Sequence, residues 1–137
     1  MKAEIIPLVI VNDVLETIKY LETYCKFELI RTAYQQEFAV MEYRGATLML
    51  QSRKLYNQGR GVPIEEHRGT GIEILVRIQG VMEAYIDTVN RGGTIVAHLH
   101  GVAETPESAV HRFSITLPDR QIITFFEYVP NMKESQK

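Results

Sequence analysis

Two oppositely charged residues, Glu73 and Arg77, lie four positions apart in a stretch whose alternate positions are all apolar. Successive side chains of a β-strand point to opposite faces, so this stretch predicts a strand with one dry face and one charged face. At strand rise the two charges lie roughly 13 Å apart, too far for a direct ion pair. Either each charge has a structural partner elsewhere, or Arg77 binds an anionic group of a ligand and Glu73 a cationic or hydroxylated group. The apolar positions of the stretch are Ile72, Ile74, Val76 and Ile78.

A second candidate group consists of His98 and His100, two positions apart in another predicted strand. A period of two places both imidazoles on one face, opposite apolar side chains, so both are predicted to point away from the helix that covers the sheet. With Glu73 they would form a set of metal ligands or an acid/base pair that works near neutral pH. The alternative is two exposed or hydrogen-bonded histidines at the end of the strand, before a loop at Gly101.

Composition and charge narrow the classes of function. The chain has 137 residues, 45% of them hydrophobic and 23% charged, with a net charge of −2 and no long run of one sign. Nucleic-acid-binding proteins usually carry a clustered basic surface, so a nucleic-acid partner is not expected. No apolar run reaches membrane length and the start lacks a signal-peptide pattern, which predicts a cytoplasmic protein without a membrane partner.

The single cysteine, Cys25, excludes an intrachain disulfide and a cysteine metal cluster. It falls at the end of a predicted helix, where a free thiol usually packs as a small hydrophobic group. We therefore expect a buried structural thiol.

The first half of the chain predicts a strand, a helix and three further strands. The first strand spans residues 4–11, and Pro7 suggests an edge position because proline has no N–H for a neighbouring strand. Asp13 is placed to cap the helix, with Glu16 three residues later as in a capping box. The apolar stripe of this helix is Val14, Leu15, Ile18, Leu21 and Cys25. The next three strands are predicted at residues 27–34, 38–43 and 46–51, separated by turns at 35–36 and 44–45.

The second half repeats this order after a segment, residues 53–69, whose glycines, proline and charges predict a long loop or hinge. A strand at 72–78 is followed by a helix that ends at Gly92 and Gly93, because glycine adopts the left-handed conformation of a helix exit. Strands follow at residues 94–100, 109–117 and 121–129, with a tight turn at 118–120 between the last two. One face of the helix carries Val81, Met82, Tyr85, Ile86 and Val89.

The two halves match locally, since residues 11–16 align with residues 78–83 and bring Glu16 opposite Glu83. This repeat predicts an α+β fold with two tandem βαβββ modules, at about 4–52 and 71–129, within a single domain of residues 1–130. Residues 53–70 link the modules and residues 131–137 form a polar tail. A helix covers one face of each sheet, so the two uncovered faces are predicted to meet in a barrel-like cleft. Its apolar lining comprises Ile6, Leu8, Ile10, Leu75, Ile122, Phe126 and Tyr128.

Three segments resemble the vicinal oxygen chelate superfamily, which includes glyoxalase I, bleomycin resistance proteins and extradiol dioxygenases. They are VIVNDVLETIKYL, ILVRIQGVMEAYIDTVNRGGTI and RFSITLPDRQIITFFEYV, and the resemblance covers residues 4–129. In the last segment Pro118 and Asp119 match the family's Asp-Pro-Asp-Gly turn, whereas Leu117 and Arg120 depart from it. The resemblance implies two βαβββ modules, in agreement with the internal repeat.

The resemblance also indicates where metal-dependent relatives keep their ligands. On the first strand of each module these positions fall on Ile6 and Glu73, and on the last strand the position falls on Thr124. Glu127 matches the non-ligand acid that closes the last strand. On the fourth strand of the first module the position falls near Met49 or Leu50, where Gln51 is the only polar neighbour. Because a divalent metal needs about three protein donors, and only Glu73 is a convincing one, the prediction is no metal and no other cofactor.

The resemblance and these residues together predict a metal-independent small-molecule-binding protein, similar to the bleomycin resistance branch and homodimeric. The first alternative is a metal-dependent lyase, isomerase or dioxygenase with displaced ligands around Glu73 and the two histidines. The second is a non-catalytic structural module whose cleft is filled by its own side chains. No catalytic residue is assigned, and pairing of the modules within or between chains stays open. The predicted ligand-binding residues are Glu73, Arg77, Ile6, Leu8, Leu75, His98, His100, Thr124 and Phe126.

Overall fold

The computed structural model describes residues 3–60 and 73–130. By its internal contacts the chain divides into two compact units, Met1–Thr70 and Gly71–Lys137. Within the described residues, no helix has the length and apolar character that a membrane crossing requires.

The first unit is a four-stranded mixed sheet with helices. Its elements are β1 (Leu8–Val11), α1 (Val14–Cys25), β2 (Glu28–Ala33), β3 (Phe38–Tyr43), β4 (Ala46–Ser52) and α2 (Arg53–Arg60). The strand order is β1-β4-β3-β2, with β1 parallel to β4 and the other pairs antiparallel. β1 is an edge strand, as Pro7 predicted, and it begins after that proline rather than at residue 4.

Helix α1 begins where its cap was predicted. The Asp13 side chain accepts a hydrogen bond of 3.0 Å from the backbone N–H of Glu16, which satisfies one of the free donors at a helix start. The predicted stripe needs one correction, because Leu15 is exposed and Thr17 is buried in its place. The Thr17 hydroxyl donates to the carbonyl of Asp13 at 2.9 Å, so its burial leaves no unsatisfied group. Cys25 is buried, and desolvation raises the pKa of its thiol to about 12.

The long loop predicted for residues 53–69 is wrong over its first part. Residues 53–60 form helix α2, which starts directly after β4. The Ser52 hydroxyl accepts a 3.0 Å hydrogen bond from the backbone N–H of Leu55 and so caps the new helix. The Gly59 that suggested a loop costs a helix only about 1 kcal/mol relative to alanine. The remaining residues of the predicted loop, 61–69, lie outside the described residues.

The second unit repeats the topology of the first. Its elements are β5 (Glu73–Arg77), α3 (Val81–Asn90), β6 (Ile95–Ala103), β7 (Ser108–Thr116) and β8 (Ile122–Pro130), in the sheet order β5-β8-β7-β6. The predicted pair of βαβββ modules is confirmed, as is the α+β class. Ile72, predicted to open β5, lies outside the described residues. The turn before β8 is also as predicted, with the backbone N–H of Arg120 donating to the carbonyl of Leu117 at 2.8 Å.

The core of the second unit lies between its sheet and α3. Phe113 and Phe125 pair across β7 and β8, with ring centroids 5.2 Å apart, and the Tyr85 ring of α3 contacts Phe113 at 5.3 Å. Ile74 and Val76 of β5 pair with Ile123 and Phe125 on this same helix-covered face. The dry face of β5 is therefore directed toward α3, as predicted.

The buried side of α3 differs from the predicted apolar face. Val81 and Thr88 are buried, whereas Met82, Ile86 and Val89 are exposed. The helix has apolar residues around most of its circumference, so their spacing alone did not select the side that packs on the sheet. Its end is as predicted: Gly92 has a left-handed φ of 83°, and the N–H of Gly93 donates to the carbonyl of Thr88 at 3.0 Å.

Candidate functional site

The candidate site is the face of the second sheet that points away from α3, called here the open face. Cross-strand pairing assigns residues to it, because residues directly paired across a ladder share one face. Glu73 pairs with Ile122, Leu75 with Thr124, and Arg77 with Phe126. Five of the predicted ligand-binding residues, Glu73, Leu75, Arg77, Thr124 and Phe126, therefore lie together on the open face.

Arg77 stands at the end of β5 against two aromatic rings. Its guanidinium carbon lies 4.9 Å from the ring centroid of Tyr128, within the range of a cation–π contact. The rings of Tyr128 and Phe126 meet edge to face, with centroids 5.6 Å apart. A cavity of about 360 Å³ opens at this end of the sheet, lined by Arg77, Ile78, Gln79, Glu127 and Tyr128.

Glu73 and Leu75 extend the open face along β5. Leu75 is 60% exposed, although it is apolar and lies between two charged residues of the same face. Within residues 3–60 and 73–130, no hydrogen-bond or ion-pair partner meets the Glu73 carboxylate. The face thus presents a carboxylate and a guanidinium on either side of an exposed apolar side chain.

His98 does not lie on this face, so the prediction that both histidines share a face is wrong. Its Nδ1 lies 2.7 Å from the Tyr85 hydroxyl of α3, on the covered side of the sheet. The register of β6 against β7 shifts between Ile95 and Ala97, and again between Ala97 and His100. Each shift inserts one extra residue, which reverses the alternation of the side chains that follow it. The predicted ligand set of Glu73 with both histidines therefore does not form.

His100 lies on the open face and is hydrogen-bonded to Arg112, its partner on β7. The Nε–H of Arg112 donates to Nε2 of His100 at 3.2 Å, and Nδ1 of His100 lies 2.8 Å from the carbonyl oxygen of His98. Arginine only donates and a carbonyl only accepts, so in this arrangement Nδ1 of His100 donates and Nε2 accepts. The loop predicted at Gly101 is also wrong, because β6 continues to Ala103.

Thr124 stands at the position where the resemblance implies a metal-binding carboxylate, and its hydroxyl is engaged in a different interaction. Its hydroxyl lies 2.6 Å from the hydroxyl of Ser114 on β7, and the two residues are 2% and 8% exposed. A buried hydroxyl needs a partner, and here each hydroxyl supplies the other's. The Thr124 side chain therefore points to the open face, but neighbouring side chains cover it from solvent.

Glu127 lies in the second half of β8 and caps helix α3. Its two carboxylate oxygens each accept a 3.1 Å hydrogen bond, one from the backbone N–H of Val81 and the other from that of Gly80. These bonds from Val81 and Gly80 hold the pKa of the Glu127 carboxyl below its usual value. Gly80 starts the helix at a left-handed φ of 75° and has no side chain to cap it, so the acid from β8 takes that role.

The remaining predicted lining residues belong to the first unit and are described within it. Leu8 is exposed and pairs with Met49, and Ile10 pairs with Gln51, all on the sheet face away from α1. Ile6 precedes β1 and is partly buried. The alternative fourth-strand position, Leu50, pairs with buried Val9 and is itself buried; its side chain is on the other face of the sheet.

Within residues 3–60 and 73–130, the side chains do not make up a site that fits a metal ion. Among the described side chains, no three of His, Cys, Asp and Glu come together as a metal-binding group. At the positions that correspond to the family's ligands, Ile6 has no donor atom, and the Thr124 hydroxyl is already bonded to Ser114. Glu73 alone supplies one carboxylate, which is too few donors for a divalent site.

Two side chains of the candidate site, Arg112 and Glu127, were not assigned to it from the sequence, although each had a signal there. Along β7, polar Arg112, Ser114 and Thr116 alternate with apolar neighbours, which is the pattern of a strand with one polar face. That pattern places Arg112 on the open face. The capping role of Glu127 had a weaker signal, namely a glycine at position 80 where a capping side chain would stand.

Solved structures share this fold over nearly the whole chain. A glyoxalase/bleomycin resistance protein/dioxygenase from Nocardioides has a TM-score of 0.72 at 16% identity, covering 94% of this chain and 85% of that one. One from Alicyclobacillus acidocaldarius has a TM-score of 0.71 at 12% identity, with coverages of 95% and 93%. A glyoxalase-related enzyme from Fulvimarina pelagi has a TM-score of 0.72 at 12% identity, with coverages of 93% and 88%.

No protein-family model matches the sequence, and no curated protein matches it. The structural neighbours nevertheless assign the chain the fold of the glyoxalase/bleomycin resistance protein/dioxygenase group. The resemblance to the vicinal oxygen chelate superfamily is confirmed at the level of the fold. Structural similarity at identities this low establishes the fold alone, so the function has to be argued from the residues of the site.

Proposed function

We propose that this chain binds a small organic molecule on the open face of its second sheet, without a metal ion. The observation that carries the proposal is the arrangement along β5. The side chains of Glu73 and Arg77 stand at its two ends, the exposed Leu75 lies between them, and neither charge is paired with the other. An apolar surface with a few placed charges is the usual composition of a small-molecule site.

The aromatic residues at the Arg77 end support binding by enclosure. Phe126 and Tyr128 offer flat apolar surfaces beside the guanidinium, and the cavity there has a volume of about 360 Å³, within the range of small-ligand sites. The structural neighbours from Nocardioides and Alicyclobacillus acidocaldarius belong to a group named for a resistance protein as well as for enzymes of the same fold. We favour binding over catalysis because the donor set at the family's ligand positions does not fit a metal ion.

The proposal includes a cytoplasmic homodimer, on the model of the bleomycin resistance branch that the sequence resembles. Binding partners are then a small molecule and a second copy of the chain, with no nucleic acid and no membrane. Size-exclusion chromatography with light scattering measures the assembly: a mass of two chains is expected, and a monomer at all concentrations contradicts this part of the proposal.

A thermal-shift screen with a chemically diverse panel tests the binding function. At least one compound is expected to raise the midpoint of unfolding, since a ligand that binds only the folded state stabilises it. Its effect should fall in the Glu73→Ala and Arg77→Ala variants. The matched control is Arg91→Ala at the end of α3, which removes a charge paired with Asp87 at 2.9 Å.

Three outcomes contradict the proposal. If both open-face variants bind every identified ligand as well as the unaltered chain, the site assignment is wrong. If untagged protein purifies with a stoichiometric divalent metal, the metal-dependent enzyme replaces the leading function. A screen without any stabilising compound favours the structural module instead.

A further inference from the structure

Four residues form one continuous row across the open face, one from each strand. Arg77 pairs with Phe126, Phe126 with Arg112, and Arg112 with His100. We call this set the basic row. It places two arginines on either side of one phenylalanine, on strands that are two strand spacings, roughly 9–10 Å, apart.

We propose that the basic row binds a small organic anion, with a carboxylate or phosphate held by Arg77 and Arg112 and a flat apolar part packed on Phe126. This inference rests on the proposed function and names the chemical class of its ligand. Arginine is suited to the task because its planar guanidinium donates paired hydrogen bonds to carboxylate and phosphate oxygens.

The charges around the row favour an anion. In the part of the chain that the structure describes, no carboxylate forms an ion pair with Arg77 or Arg112. Glu127 follows Phe126 on β8, and its two carboxylate oxygens accept hydrogen bonds from the backbone N–H groups of Gly80 and Val81. The Glu73 carboxylate shares this face but stands four residues from Arg77 along β5, roughly 13 Å away. Although the whole chain carries a net charge of −2, the row itself holds two arginines and no carboxylate, so it is locally positive and raises the local concentration of anions.

His100 acts as a positioning residue. Its Nδ1–H is held by the carbonyl of His98, so its bare Nε2 faces Arg112 and accepts the Nε–H of that guanidinium. The Nε–H bond fixes the plane of the guanidinium and leaves its two terminal nitrogens to donate elsewhere. The aromatic side of the row is fixed in the same way, because Arg77 lies over Tyr128 and Tyr128 meets Phe126 edge to face.

The test uses four ring compounds that differ in charge: benzoate, phenyl phosphate, benzamide and benzylamine. Each is titrated into the full-length chain and followed by two-dimensional amide NMR. Benzoate or phenyl phosphate, or both, should shift the signals of the row, and their ratio identifies the preferred oxyanion. Benzamide has the shape of benzoate without its charge and should bind at least about tenfold more weakly, because charged hydrogen bonds are the stronger ones.

Variants assign the effect to the row. Arg77→Gln and Arg112→Gln should each weaken binding of the anionic probe about tenfold or more, and Arg91→Gln should leave it unchanged. His100→Ala should cause a smaller loss, about threefold, since it removes one hydrogen bond that orients Arg112 and leaves both arginine charges in place. Nitrogen-15 spectra of the His100 ring should show the proton on Nδ1 and an unprotonated Nε2, and a proton on Nε2 would rule out the positioning role because Nε2 could not then accept from Arg112.

Several results overturn the inference. One is equal or tighter binding of benzamide or benzylamine at the open face, which removes the anion while leaving small-molecule binding intact. Another is an anionic probe that binds equally well after both arginine substitutions. If none of the four probes shifts the open face at millimolar concentration, the anion inference fails, and the diverse thermal-shift panel separately decides the proposed function.

Discussion

The two units share one topology and differ in what their equivalent rows carry. Arg77 precedes the segment that aligns with residues 11–16, so its counterpart in the first unit is Ile10. Ile10 pairs with Gln51, Gln51 with Phe38, and Phe38 with Ala33. The counterpart of the basic row, Arg77, Phe126, Arg112 and His100, therefore contains no ionisable side chain.

The next row shows the same difference. Leu75, Thr124 and Ser114 in the second unit correspond to Leu8, Met49 and Val40 in the first. The backbone pairing is equivalent, yet one unit buries two hydroxyls where the other has apolar side chains. A repeated scaffold fixes positions, and the residue types at those positions decide which unit can hold a polar ligand.

The largest expected effect is on stability, from a substitution in the helix-covered core of the second unit. Phe113→Ala removes a fully buried ring that contacts Tyr85 and Phe125, and it should lower the free energy of unfolding by about 3–5 kcal/mol. Phe126→Ala removes a ring of the same size from the partly exposed open face, and it should lower the free energy of unfolding by less than half as much. Urea denaturation of both variants measures the difference, and equal losses would show that the open face is packed like the core.

Exchanging the chemistry of the rows should have the next largest effect, and it acts on ligand binding. The double variant Arg77→Ile/Arg112→Phe gives the second unit the residues of the first and should weaken binding of the anionic probe by about 100-fold. Ile10→Arg places a charge at the equivalent position of the first unit and serves as its control. Titration calorimetry with benzoate or phenyl phosphate compares the two. Retained affinity in the double variant would show that the difference between the rows has no bearing on binding.

The buried hydroxyl pair should behave as a coupled unit. Thr124→Val leaves the Ser114 hydroxyl without its 2.6 Å partner and should cost about 1–3 kcal/mol of stability. The double variant Thr124→Val/Ser114→Ala removes both hydroxyls, as in the first unit, and should be less destabilised than the sum of the single variants. A double-mutant cycle of unfolding free energies measures this coupling, and strictly additive losses would count against it.

The caps of α1 and α3 should respond differently when the capping carboxylate is replaced by an amide. Glu127 accepts two N–H groups with two oxygens, so Glu127→Gln loses one acceptor and should cost about 1 kcal/mol. Asp13 accepts one N–H, so Asp13→Asn retains the acceptor it needs and should change stability by a few tenths of that.

The cap at Glu127 also predicts a pH dependence. Because folding lowers the pKa of this carboxyl, its contribution to stability is complete above the unfolded-state pKa and disappears as the pH falls through the lower folded-state value. The stability difference between the unaltered chain and Glu127→Gln should therefore shrink with acidification. Thermal unfolding from neutral to acidic pH measures it, and a constant difference would contradict the capping role.

Much of the fold was predictable because its signals are local. Alternation in β5 and β8, the Asp13 cap and the turn at 118–120 each depend on residues close together in the chain. The repeat of strand, helix and three strands then identified the topology. The limits were the elements whose local signal was ambiguous, as with helix α2, which contains a glycine, and α3, which has apolar residues on most sides.

The open face was predictable only in part. Because side chains alternate along a straight strand, the sequence by itself determined that Glu73, Leu75 and Arg77 share one face, opposite the side chains that pack on α3. Only the tertiary structure decided the place of His98 and the partners of Arg112 and Glu127. The shifts in β6 arise from its pairing with β7, and the cap joins β8 to α3. Such contacts join distant parts of the chain, so no local pattern of residues specifies them.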